Sequence, residues 1–173
     1  MYIIDNFHAG LPPTLVTVRC ALTPLEQGDF EDISRLLQNP RVRAYLGGPV
    51  AAEEVVVKLS AMLADQKAWH WVVRLLEDAR FTGLVSLTPH HDGDDYEISY
   101  EIDEMMQGRG FGVEIVRSVL NFAVTTMGLR RVVAETQMVN HASIRLLEKL
   151  GMGLEREVER FDVRQGIFVW EKV

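Results

Sequence analysis

The stretch Gln107-Gly108-Arg109-Gly110-Phe111-Gly112 constrains this chain more than any other. It joins two segments of different period. In the first, Tyr96, Ile98, Tyr100 and Ile102 interleave with Glu97, Ser99, Glu101 and Asp103; in the second, Val113, Val116, Leu120, Ala123 and Met127 recur at helical spacing. Period-2 alternation makes a strand with one buried and one polar face, and the later spacing makes an amphipathic helix running to about Met127. Glycines at the junction allow backbone torsions closed to other residues, and they remove Cβ atoms that would hold a ligand off the main chain. The N–H groups of the turn and of the first helical turn then converge at the positive end of the helix dipole, a site suited to phosphate.

Spacing narrows the kind of phosphate loop. A Walker A loop ends in Gly-Lys-Ser/Thr, and no such triplet is present. A dinucleotide fingerprint needs a third glycine after two further residues, and Val113 or Ile115 stands there. Glu135 does lie roughly where a ribose-binding acid belongs, which keeps a dinucleotide alternative open.

The rest of the chain reads as short strands and helices around one sheet, a mixed αβ (α+β) domain over residues 1–173. Leu15 to Leu22 reads as a first strand, Asp29 to Gln38 as a helix stopped by Asn39-Pro40, and Ala51 to Lys67 as a helix with Val55, Val56, Leu59, Met62 and Leu63 on one face. Trp69 to Leu76 and Phe81 to Leu87 suit a hairpin. Arg131 to Gln137 is a further strand, His141 to Leu150 a short helix ended by Gly151, and Leu154 to Phe161 with Ile167 to Lys172 a closing strand pair.

Composition removes several function classes. With 173 residues and 47% of them hydrophobic, the chain suits one domain with a proper core. A net charge of −7 and the lack of a basic block argue against nonspecific nucleic-acid binding. No stretch approaches the roughly 20 apolar residues that span a bilayer. Met1 to Pro13 has neither the cationic start nor the apolar core of a signal peptide. Cys20 is the only cysteine, so no disulfide within the chain and no cysteine metal cage can form, and a cytoplasmic setting is the expectation.

Gln107-x-x-Gly110-x-Gly112 also matches the Gln/Arg-x-x-Gly-x-Gly/Ala signature of the GCN5-related N-acetyltransferases (GNAT). The resemblance extends along the chain. Tyr96-Glu97-Ile98-Ser99-Tyr100 resembles the strand before the loop in the RimJ/RimL-like ribosomal-protein branch. Asn140-His141-Ala142-Ser143 and Leu147-Glu148-Lys149-Leu150-Gly151-Met152 resemble its later segments, and Arg19, Asp29, Asn39-Pro40-x-Val42 and Tyr45-Leu46 its N-terminal pattern. Glu101 departs from the branch, which often has an aromatic residue there.

The resemblance implies a three-layer α/β/α fold with a mostly antiparallel, splayed sheet of about seven strands and about four helices. It implies direct transfer of acetyl from acetyl-CoA to a primary amine, either a protein or peptide N-terminus or a small molecule, by a monomer or homodimer. The pantetheine arm would lie between the strands Tyr96 to Asp103 and Arg131 to Gln137, against backbone groups of Ile102 and Asp103. The pyrophosphate would rest on Gln107, Gly108, Arg109, Gly110, Phe111, Gly112 and Val113. Asn140 would flank the pantetheine, and Ser143 would protonate the departing thiolate. Asn140 has the alternative of a plain helix cap. An acceptor ammonium must lose a proton before it attacks, and Asp162 is the first candidate base, with Glu101 and Glu97 as the others. A solvated surface charge is the plain alternative for each. A non-catalytic acyl-CoA or protein-binding module of the same fold is the alternative function, motivated by Glu101 and by the absence of an unmistakable base.

Other features are discounted. His90-His91-Asp92 reads as a solvated loop and no metal is expected; Trp69, Trp71 and Trp170 read as core or pocket wall, and Cys20 as packing.

Overall fold

The computed structural model describes residues 11–172. The reading of the leading segment and the single-domain span of residues 1–173 both reach outside them. Within them, eight strands form one sheet in the order β1-β2-β3-β4-β5-β6-β8-β7. These are β1 Leu15–Val16, β2 Cys20–Pro24, β3 Trp69–Leu75, β4 Phe81–Pro89, β5 Tyr96–Ile102, β6 Arg131–Gln137, β7 Gly153–Arg160 and β8 Val163–Glu171. The helices are α1 Phe30–Leu37, α2 Ala52–Ala64, α3 Phe111–Thr125 and α4 His141–Lys149. The mixed αβ expectation holds, with one strand more than anticipated. No helix among the described residues is long and apolar enough to cross a membrane.

The added strand comes from Leu15 to Leu22, which is a hairpin and not one strand: Leu15 pairs with Leu22 and Val16 with Ala21. Its turn carries no glycine or asparagine. Thr17 closes it instead, its N–H donating to the Cys20 carbonyl at 2.8 Å and its Oγ1 accepting from the Cys20 N–H at 2.9 Å. The Glu114 carboxylate of α3 accepts the Arg19 N–H at 2.8 Å from 95 residues away. Such a turn leaves no local signature.

Two apolar clusters sandwich the sheet. On one face α3 and α4 pack Phe111, Ile115, Val119, Phe122 and Leu147 against Trp69, Trp71, Ile98 and Val132. On the other, α1 and α2 pack Ile33, Leu36, Leu37, Val55 and Leu59 against Val72 and Leu84. The reading of α2 needs correction. Val55 and Leu59 are buried, but Val56 is 54% and Leu63 39% exposed, because a helix packed only against α1 and one face of the sheet buries a narrow stripe. It also ends at Ala64, where the Asp65 carboxylate accepts the Lys67 N–H and turns the chain.

His70 of β3 lies on the α1/α2 face, with Nδ1 2.6 Å from Ser86 Oγ of β4. Burial, helped by Lys58 and opposed by Asp65, pushes its pKa down to about 4. The unfolded imidazole therefore binds its proton first as pH falls, and stability present above pH 6.5 is lost on the way to pH 4. Between pH 7 and 4.5, His70→Gln is expected to lose about 2 kcal/mol less stability than wild type, read from denaturant unfolding at each pH. Equal losses would mean that His70 is not buried as the neutral form.

One pair of strands departs from the antiparallel pattern. β5 and β6 run parallel and pair only at Tyr96–Val132 and Glu97–Val133, although each strand has seven residues. Past Glu97, β5 stays paired with β4 as far as Ile102, and β6 with β8 as far as Gln137, so the two strands fork. The Asp103 N–H continues the β4 ladder by donating to the Thr82 carbonyl at 2.9 Å. By the alternation of an antiparallel ladder, backbone groups of Glu101, Ser99 and Glu97 then face β4, and those of Ile102, Tyr100 and Ile98 face the fork.

Candidate functional site

The glycine turn sits at the open end of this fork. Asp103 caps a short 3-10 turn, Glu104–Met106, its Oδ1 accepting the Met105 N–H at 3.0 Å. Gln107 Nε2 donates to the Ile102 carbonyl at 3.0 Å, fastening the turn to the end of β5. Gly108 and Gly110 have φ of 71° and 81°, and Gly110 is the N-cap of α3. The Gln107 N–H is engaged by the Glu104 carbonyl and the Glu114 N–H by that of Gly110. Helix geometry leaves the N–H groups of Gly110, Phe111, Gly112 and Val113 without intrahelical acceptors. The Phe111 side chain is buried in the core, so only its backbone is presented at the turn. Gly112 lets α3 and α4 meet, since a Cβ there would lie 2.6 Å from Leu146 Cδ1.

Arg19 braces the turn from the β1–β2 hairpin. Its Nη1 donates to the Arg109 carbonyl at 3.1 Å, its guanidinium lies 3.9 Å from the Phe111 ring centroid, and its Nε donates to Glu114 Oε2 at 2.7 Å. Burial resists ionisation of Glu114, but hydrogen bonds from Thr17 and Arg19 outweigh it and hold the carboxyl below its ordinary range. The negative charge beside the helix N-terminus is thus matched by Arg19. Arg109 reaches back over the turn, with Nη1 3.5 Å from Met106 Sδ.

Across the fork, Asn140 stands at the N-cap of α4, its Oδ1 accepting the Ser143 N–H at 3.2 Å. Its side chain is therefore a cap, the plain alternative. Tyr100 Oη and Ser143 Oγ lie 2.7 Å apart, joining β5 to α4 beneath the fork. Burial pushes the Tyr100 phenol up to about 12, opposed by Ser143. Of the two backbone positions expected to line the fork, Ile102 does so. The Asp103 N–H is engaged by β4.

The three carboxylates occupy different environments. Asp162 is exposed at the tip of the β7–β8 hairpin, in a left-handed turn with Phe161 (φ 59° and 52°), over a hollow lined by Met138, Val139, Val163 and Arg164. Glu101 is not a solvated charge. Arg43 Nη1 donates to both its oxygens, at 3.0 and 3.1 Å, and the two side chains are only 10% and 15% exposed. Arg43 also donates to the carbonyls of Leu46 and Gly48, so the pair holds the α1–α2 loop against the sheet. Glu97 stands at the closed end of the fork, on the α1/α2 face. Burial pushes its carboxyl up and Glu135 adds to this, against His90, Arg160 and a hydrogen bond from the Glu135 N–H. Among the described ion pairs, none involves Glu97.

Residues 19–153 match the family described as the acetyltransferase (GNAT) domain. The chain belongs to the GNAT acetyltransferase family. The chain is 25% identical over 162 residues to YoaA of Bacillus subtilis (strain 168), named as an uncharacterized N-acetyltransferase, covering 89% of this chain and 90% of that one. A GNAT-family acetyltransferase structure from Bacillus anthracis superposes with a TM-score of 0.81 at 19% identity, covering 92% of this chain and 98% of that one. The spermidine N-acetyltransferase of Vibrio cholerae, solved in complex with CoA and spermine, superposes at 0.77 with 21% identity, over 88% and 95%. At such identities the two structures speak for the fold.

Within this GNAT chain the His90 loop also needs correction. His90 is 4% exposed, and His90, His91 and Glu135 bring ligand-type atoms within 4.8 Å of one another. The chemistry does not favour a cation. His90 Nδ1 accepts the Asp92 N–H at 3.3 Å, which leaves the proton of the neutral ring on Nε2, the atom that faces Glu135. Arg160 Nε lies 3.4 Å from Glu135 Oε1, so a guanidinium already serves that carboxylate. Sequence reasoning missed Arg43, the Tyr100–Ser143 contact and the role of Arg19, all long-range pairings. The polar alternation of β5 did place Glu97 among the candidates.

Proposed function

We propose that this GNAT protein transfers acetyl from acetyl-CoA directly to a primary amine, with the fork between β5 and β6 as the reaction site. The observation that carries the reading is the juxtaposition of a glycine turn at the open end of the fork and, at its closed end, Glu97, a partly buried carboxylate that joins none of the ion pairs among the described residues. Acetyl-CoA would supply the activated acetyl group. Its phosphates fit the N–H groups of Gly110 to Val113 with Arg109 alongside, and its arm fits the fork-facing backbone of Ile102 and Tyr100. A fork-facing N–H is a preorganised donor for negative charge developing on the acyl oxygen.

The two faces of the sheet divide the proton chemistry. The acceptor enters from the α1/α2 face, where Glu97 takes the ammonium proton directly or through one water. The C–N bond forms as the C–S bond breaks, and Ser143, on the α4 face, hands a proton to the thiolate. Glu97 is the base we assign, because Glu101 is tied to Arg43 and Asp162 lies out on a hairpin tip. The same pairing gives Glu101 a structural role, which weakens one of the two grounds for a non-catalytic module. The motifs at Asn140 to Ser143 and Leu147 to Met152 favour the RimJ/RimL-like branch, and hence a protein or peptide N-terminus as acceptor; a small amine is the other class. Cys20, buried with a free thiol, suits a reducing cytoplasm.

Acetyl-CoA is expected to raise the melting temperature and to release free thiol with a member of an amine and peptide panel. No shift with either acetyl-CoA or CoA at hundreds of micromolar would sink the reading. Glu97→Gln is expected to lower kcat about a hundredfold at pH 7 while the acetyl-CoA shift persists. Wild-type turnover in this variant would return the base to Asp162.

A further inference from the structure

We propose that Tyr100 is a positioning residue for the leaving-group step: its phenol holds the Ser143 hydroxyl with its hydrogen turned into the fork. The inference rests on the acetyl-transfer reading above and goes beyond it, since that reading asks Ser143 for a proton without saying what aims it. Tyr100 comes from the later half of β5 and Ser143 from the first turn of α4, so their 2.7 Å contact is a tertiary bridge between the strand and the helix. It lies on the α3/α4 face, where Tyr100 packs beside Ile98 and Ile102.

The direction of the hydrogen bond follows from acidity. A phenol, ordinarily near pKa 10, is a far better donor than an alkyl alcohol, so Tyr100 Oη–H donates and Ser143 Oγ accepts. Burial holds the phenol protonated, which keeps it a donor across the working pH range. The Asn140 side chain accepts the Ser143 N–H and so fixes the Ser143 backbone at the start of α4, beside Tyr100. Among the described hydrogen bonds, Ser143 Oγ has Tyr100 as its only partner, so its own hydrogen is free to point at an atom in the fork. When the C–S bond of the thioester breaks, the sulfur keeps the bonding pair and takes the Ser143 proton. The Ser143 oxygen, already accepting from Tyr100, is reprotonated through water by the second proton that the nitrogen sheds as it becomes an amide, while the first, taken by Glu97, passes to solvent. Tyr100 ends the cycle as it began, a neutral phenol.

Tyr100→Phe keeps the ring in its packing and removes only the hydroxyl. The expected result is a kcat about tenfold lower, with the KM for acetyl-CoA within twofold and the melting temperature within about 2 °C of wild type. Ser143→Ala should lower kcat by at least as much, and the Tyr100→Phe/Ser143→Ala double variant should be no slower than Ser143→Ala alone. That non-additivity is the mark of one hydroxyl acting through the other. Unchanged kcat in Tyr100→Phe, a rise in KM alone, or losses that multiply in the double variant would overturn the inference. If Tyr100→Phe proves less stable than expected, the comparison of Ser143→Ala with the double variant at a temperature where both are folded decides it. Failure of the wild type to use acetyl-CoA with any amine would overturn both the reading and this inference, whereas failure confined to the cycle overturns the inference alone.

Discussion

Glu101→Ala is expected to destabilise the fold by about 3 kcal/mol, lowering the melting temperature by roughly 10 °C in a chain of this size. The reason is what it leaves behind. Arg43 is 8% exposed, and its Nη1 has the Glu101 carboxylate as its described partner, while Nε and Nη2 serve the carbonyls of Gly48 and Leu46. Removing the carboxylate strands a guanidinium in a place from which it cannot reach water without releasing the α1–α2 loop. Truncating one partner of a buried pair costs far more than the pair contributes in net terms. Glu101→Gln keeps an acceptor for Nη1 and should cost about half as much. The pH sign is also fixed. Burial, against the pull of Arg43, pushes the Glu101 carboxyl up. The folded chain then holds this proton more firmly than the unfolded chain, so stability linked to Glu101 falls as pH rises through its titration range. Thermal melts of the two variants at neutral pH check this, and a Glu101→Ala melting temperature within 1 °C of wild type would show that the pair does not hold the loop.

How much of this was legible in the sequence depends on how far apart the interacting residues lie. The alternation of Tyr96 to Asp103, the glycine run and the apolar spacing of α3 are local patterns, and the strand, turn and helix they specify sit where they were expected. Local pattern also marked Asn140 as a cap and Gly151, with φ 80°, as a helix end. Glu101 lay on the same alternation as Glu97, and nothing within several residues distinguishes them. What separates them is Arg43, 58 residues away, and the end of strand pairing just beyond Glu97. The hairpin in Leu15 to Leu22 escapes for the same reason, because the turn that Thr17 closes is braced by Glu114, 95 residues from Arg19. His90 escapes because a polar loop reads as solvated, whereas its ring folds back against Glu135. Periodicity reports which face is buried against the chain's own core. It does not report which polar groups on the other face find each other.

Gly110→Val is expected to abolish the acetyl-CoA-induced rise in melting temperature. In wild type at a hundredfold excess over Kd, that rise corresponds to about 2.7 kcal/mol, or roughly 5–10 °C. Two effects act together. Gly110 has φ +81°, where a β-branched residue is strained by about 1–3 kcal/mol, so the turn would relax and its N–H groups would no longer converge. The new side chain would also stand over the N-terminus of α3, where the phosphates are proposed to sit. The protein itself leaves room there: a Cβ on Gly110 would meet only Arg19 Nη2, at 3.6 Å. Steric exclusion would therefore fall on the ligand and not on the fold. Gly128→Val separates strain from site. Gly128 lies just past the other end of α3 with φ +71° and nothing within 4 Å of its Cβ position. It should lose a similar amount of intrinsic stability and keep the full acetyl-CoA shift. If Gly110→Val retained a shift of more than half the wild-type value, the phosphates would have to bind elsewhere, and the glycine turn would be a means of entering the helix and nothing more. If both variants lost the shift, strain anywhere on α3 would be the cause, and the turn would not be the contact site. Only loss at Gly110 with retention at Gly128 ties binding to the N–H groups of that one helix end.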